Sequence, residues 1–130
     1  MRTAILAALL SLPILSSCFA VAAGAVGGAV ISREVSSNNV FETRLNLDVS
    51  KVWPVVKITL HEASLDTIEI DEAVRSAKAK IDGAVVTVTC EAYDLDKTVM
   101  RTRASKFAGT INDADMAELI QRRIVTRLEQ

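Results

Sequence analysis

An α+β fold is predicted for this chain: a mostly antiparallel β-sheet with two helices packed on one face, in the order β-α-β-β-β-β-α. Three observations carry that reading. Asp82-Gly83 sits between two runs that alternate apolar and polar residues, the strongest short-range signal for a hairpin. Two stretches, Val49 to Ala63 and Met116 to Leu128, repeat apolar residues at helical spacing behind residues competent to cap. Val40 to Leu47 alternates cleanly, as a half-buried strand does.

The elements follow in order. In Val40 to Leu47, Phe41, Thr43, Leu45 and Leu47 form the inward set. Asp48 and Ser50 are both competent N-caps, and Val49, Val52, Trp53, Val56, Leu60 and Ala63 make one helical stripe. Pro54 lacks an N–H, so a cap at Ser50 places it near the end of the first turn, where its cost is smallest. A short strand is expected around Thr67 to Ile70. Ala77, Ala79 and Ile81 then lead into the Asp82-Gly83 turn, and the return strand buries Ala84, Val86, Val88, Cys90 and Ala92 while exposing Thr87, Thr89, Glu91 and Tyr93. A three-residue turn at Leu95-Asp96-Lys97 into Thr98 to Ser105 sets Cys90 opposite Thr102 and Glu91 opposite Arg101, which keeps every face consistent. Phe107 to Asn112 is read as a connector, with Asn112 or Asp113 capping the last helix. Met116, Leu119, Ile120, Ile124 and Leu128 form its expected stripe, with Gln121, Arg122 and Arg127 in water.

Ahead of this domain the composition changes. Of the first 31 residues, 22 are apolar and only Arg2 is charged. Ala4 to Ile14 has the length of a secretory h-region, too short to span a bilayer. Leu15-Ser16-Ser17-Cys18 closes it. That ending resembles the lipobox of bacterial lipoproteins, in which small residues admit the peptidase and the Cys thiol receives a diacylglyceryl group. The resemblance implies removal of residues 1–17 as a signal peptide and a lipid anchor on Cys18. Each buried acyl CH₂ contributes about 0.8 kcal/mol, so several chains hold a protein stably. Residues 18–39 then form the lipidated end and a Gly/Ala-rich tether, and residues 40–130 the single domain. Ala20, Gly24 and Gly28 recur every four residues, a spacing that permits close helix approach in a membrane; a tether at the lipid surface is the plainer reading. In such lipoproteins an Asp after the Cys retains the protein in the inner membrane. Phe19 stands there, which implies an outer-membrane site facing the periplasm.

With these features in place, the whole chain resembles a family of small bacterial lipoproteins known only as a domain of unknown function. The shared pattern is Cys18, the Gly/Ala segment, Met100-Arg101-Thr102-Arg103-Ala104, Phe107-Ala108-Gly109 and the final helix to Leu128. Ala104-Ser105 stands where several members have a Gly. The resemblance supplies no activity.

Composition narrows the function further. Fifteen basic against sixteen acidic residues, a net charge of −1, lacks the basic field that nucleic-acid binding needs. One His and two Cys cannot build a multi-ligand zinc or iron–sulfur site, so no metal or cofactor is expected. His61 and Glu62 are neighbours on a helix and point about 100° apart, which makes no acid–base pair. Cys90 reads as a small buried hydrophobe. Asp66, Glu69, Asp71 and Glu72 lack the spacing of a calcium loop and read as a solvated edge. Lys78, Lys80, Arg101 and Arg103 emerge together on the sheet face away from the helices, partly compensated by Glu91. They suit an acidic protein surface or phosphate headgroups, or serve only solubility. A non-enzymatic envelope module, anchored in the membrane through Cys18 and free to meet an envelope protein, is the expected function. The alternative is a carrier of a small apolar ligand or lipid between helix and sheet, since Val52-Trp53-Pro54 resembles the helix of helix-grip lipid-binding proteins.

Overall fold

The computed structural model describes the backbone of residues 30–35 and residues 40–130 in full. Its elements are β1 (Val30–Val35), β2 (Phe41–Leu45), α1 (Val49–Ala63), β3 (Glu69–Asp71), β4 (Ser76–Ile81), β5 (Ala84–Asp94), β6 (Lys97–Lys106), β7 (Ile111–Asn112) and α2 (Ala114–Leu128). The strands form one antiparallel sheet in the order β1-β2-β6-β5-β4-β3, with β7 paired to the end of β6. Both helices pack on the same face. The expected order is present, with two strands added. β1 occupies residues read as tether and polar link, and it enters the sheet with Val30 opposite Leu45. β7 turns the expected connector into a hairpin, with Lys106 opposite Ile111.

The core lies between helices and sheet. Leu45, Val52, Val56, Leu60, Val86, Val88, Met100, Ile120 and Ile124 are completely buried. Asp48 caps α1, its Oδ1 accepting from the Ser50 N–H at 2.7 Å. The helix therefore begins at Val49, and Pro54 falls in its second turn. Asp113 caps α2 through the Met116 N–H at 3.1 Å.

Three expectations are corrected. The β5–β6 turn has two residues, Leu95-Asp96, because Asp94 pairs with Lys97. A bulge at Tyr93 adds one residue to β5, so Cys90 faces Met100 and Glu91 faces Val99. Side chains alternate with period two, and the bulge restores the parity that a two-residue turn alone would break. Ala92 is exposed, beside the bulge at the end of β5.

In α2 the buried stripe is Ala117, Ile120, Gln121, Ile124 and Val125, while Leu119 is exposed. Gln121 is fully buried, and its Nε2 donates to Thr43 Oγ1, an interior hydroxyl of β2. The buried stripe is therefore offset from the one that the large apolar residues alone describe.

The Asp82-Gly83 turn has the expected geometry, with φ of 48° at Asp82 and 80° at Gly83. A Cβ on Gly83 would meet nothing within 4 Å, so a substitution there suffers backbone strain alone. Gly83→Val is expected to destabilise the domain by about 1–2 kcal/mol, read from the denaturation midpoint. An unchanged midpoint would contradict the turn.

Candidate interaction face

Opposite the helices, the sheet presents a second face that no described element covers. The alternation that buries Ala77, Ala79 and Ile81 sends Lys78 and Lys80 outward, and the alternation of β6 does the same for Arg101 and Arg103. All four predicted residues therefore share this face. Their electrical states differ.

Arg101 stands directly across from Glu42 on β2. Its Nε donates to Glu42 Oε2 and its Nη1 to Glu91 Oε2, both at 3.0 Å. The Glu91 contact, then that of Glu42, holds the guanidinium more firmly charged than usual. Its charge is thus compensated locally by two carboxylates. Glu42 is shared with Arg44 at 3.6 Å. Lys78 reaches Glu69 at 3.5 Å across an exposed pair, a contact of little energetic weight. Lys80 and Arg103 form no ion pair among the described residues. The free positive charge is consequently shifted from the middle of the face toward the end where β4 stops and β6 meets β7.

A depression of about 470 Å³ occupies that end, with Lys78, Thr87, Arg103, Ser105, Ala108 and Gly109 in its lining. Register explains the grouping: Lys78 pairs with Thr87 and Thr87 with Arg103, so these three form one cross-strand row. The turn from β6 to β7 forms the rim. Phe107, Ala108 and Gly109 all have positive φ, of 52°, 55° and 88°. The Gly109 N–H donates to the Lys106 carbonyl, and both the N–H and the hydroxyl of Thr110 donate to the Phe107 carbonyl. Phe107 is 72% exposed at the tip. In the sequence it falls in a connector and in the Phe107-Ala108-Gly109 segment of the shared pattern, neither of which points to an exposed tip.

The other candidates fall elsewhere. Cys18 lies outside the described residues. His61 is exposed in the last turn of α1, and its neighbour Glu62 pairs with Arg127 of α2. Burial pushes the Cys90 thiol up to about 12. The acidic residues are dispersed over separate tasks. Glu72 accepts from Trp53 Nε1 at 2.6 Å and from Lys57 Nζ at 2.7 Å, while Asp71 Oδ1 accepts from the Ala73 N–H at 3.0 Å. Among the described residues no group of His, Cys, Asp or Glu is placed to hold a metal ion, and no helix is long and apolar enough to cross a membrane.

A second depression lies between α1 and the end of α2, lined in part by Glu62, Leu119, Arg122, Arg123 and Arg127. Two of its three guanidiniums are already paired, Arg122 with Glu118 and Arg127 with Glu62. The sheet face thus has the more available charge.

No family model and no curated protein matches the chain.

Proposed function

We propose that this protein is a lipid-anchored module of the bacterial cell envelope, held in the outer membrane and facing the periplasm, and that it works by binding rather than by catalysis. The reading groups it with the small lipoproteins that its sequence resembles. Leu15-Ser16-Ser17-Cys18 behind the apolar run is the observation that carries it. The position of β1 supports it: eleven residues separate Cys18 from Val30, a short apolar link between an acylated Cys and a folded domain. The uncovered, basic sheet face supports the binding role.

The wild type is expected to incorporate a palmitate analogue and to partition with membranes. Cys18→Ser should lose both. An unlabelled Cys18→Ser chain that stays in the membrane fraction would replace the lipid anchor with an uncleaved hydrophobic one.

A further inference from the structure

The two ends of the sheet carry different turns. At one end the β5–β6 turn exposes Leu95, at 90%, between Asp94 and Asp96. At the other, the β6–β7 turn exposes Phe107, at 72%, and Ile111, at 53%; residues 106–111 contain no carboxylate, while Lys106 is paired with Asp113 at 3.1 Å and the neighbouring β4–β5 turn exposes Asp82. An apolar side chain flanked by two carboxylates is poorly suited to a lipid interface. One flanked by cations is well suited to it.

The cations stand beside the second turn. Strands in a sheet are about 4.8 Å apart, so Lys78 and Arg103 flank Thr87 across roughly 10 Å, wide enough to receive a phosphate group between them. Lys80 belongs to the next row, with Val85 and Ser105. Phe107 and Ala108 both hold left-handed backbone, which non-glycine residues adopt only where the surroundings impose it. The turn is therefore fixed at the rim of the basic depression.

We propose that this face lies against the membrane in which Cys18 is anchored, with Lys78, Lys80 and Arg103 on the phosphates of anionic phospholipids and Phe107 inserted at the acyl boundary. The proposal rests on the anchor reading for its choice of membrane. Val30 lies opposite Leu45 and Leu45 opposite Thr98, so the chain enters at the Leu95 end of the sheet. Eleven extended residues reach at most about 40 Å, more than the roughly 30 Å that β6 runs from Thr98 to Phe107. The face is tilted so that its β6–β7 end, and not the Leu95 end, meets the membrane within reach of that tether.

The test uses the whole chain reconstituted into vesicles of phosphatidylglycerol and brominated phosphatidylcholine, with Phe107→Trp and Leu95→Trp as separate reporters. Trp53, only 6% exposed in the core, supplies a constant background. Flotation at about 1 M salt reports the anchor, and bromine quenching at low salt reports the face. Phe107→Trp should shift to the blue and be quenched, while Leu95→Trp should not. The quenching should disappear in vesicles of neutral lipid alone, on adding Lys78→Glu and Arg103→Glu, and as salt shortens the screening length to about 3 Å near 1 M. Flotation without quenching at position 107, or with quenching at position 95 in its place, would overturn the proposal and leave the anchor standing. Quenching at low salt in a chain that no longer floats at about 1 M salt would overturn the anchor and leave the face. Quenching that ignores lipid charge and the Glu substitutions would remove the phosphate contacts.

Discussion

Trp53→Ala is expected to lower the unfolding free energy by about 3–5 kcal/mol, the cost of emptying a large aromatic site in a packed core. Trp53 is buried on the sheet-facing side of α1, next to Val52 and Val56. Its indole also joins that helix to the β3–β4 turn, because Nε1 donates to Glu72 while Lys57 Nζ lies 5.4 Å from the ring centroid and binds the same carboxylate. Trp53→Phe keeps a buried aromatic ring and loses the N–H with the smaller ring of the indole, so its effect should be smaller. Denaturant midpoints of both variants, at unchanged slope, make the comparison. Equal losses in the two would show that the hydrogen bond, not the ring, dominates. The same carboxylate contributes a pH dependence. Lys57 first, then Trp53, holds Glu72 below the ordinary Glu range. A depressed folded-state value stabilises above the unfolded pKa and is lost as pH falls through the folded one. The turn should therefore loosen on the acid side.

The buried pair between Thr43 and Gln121 gives the second large effect. Thr43→Val leaves the Gln121 amide, fully buried, without its only side-chain partner among the described residues, where its Oε1 also has none. The expected loss is about 1–3 kcal/mol. Adding Gln121→Leu removes the stranded amide and keeps its approximate volume, so the double variant should recover most of that loss. Such non-additivity is the signature of direct coupling. A double variant as unstable as the sum of the two singles would place the cost in packing instead.

How far the sequence reveals these features depends on whether their causes are local. The Asp82-Gly83 turn is legible because two adjacent residues must accept positive φ, and few pairs do so easily. The inward set of β2 and the stripe of α1 are legible from periodicity alone. The β5–β6 register is not. Parity requires Cys90 to face an inward residue of β6, which both Thr102 and Met100 satisfy, and the bulge at Tyr93 that decides between them leaves no mark in composition. Gln121 is misjudged for a similar reason: a polar residue becomes interior only when another, Thr43, meets it from an element 78 residues away. On the basic face the four cations are legible from strand alternation. Their inequality arises from Glu42, which reaches Arg101 only because β2 lies beside β6.

The two edges of the sheet are unequal, and this constrains how copies of the chain can associate. One edge is β3, only three residues long and bearing Glu69 and Asp71. Beyond it, the Lys80 carbonyl of β4 is occupied by the Ser64 hydroxyl at 2.9 Å. Short, charged and partly plugged edges resist strand addition. Among the described residues, the six-residue β1 is the other edge. Polymerisation by strand addition needs two receptive edges on every molecule, whereas a single receptive edge can satisfy only another like itself. Among the described residues strand addition therefore has at most one edge to use, β1, whose pairing is itself irregular between Val30 and Ser32, so growth there stops at two copies related by a twofold axis.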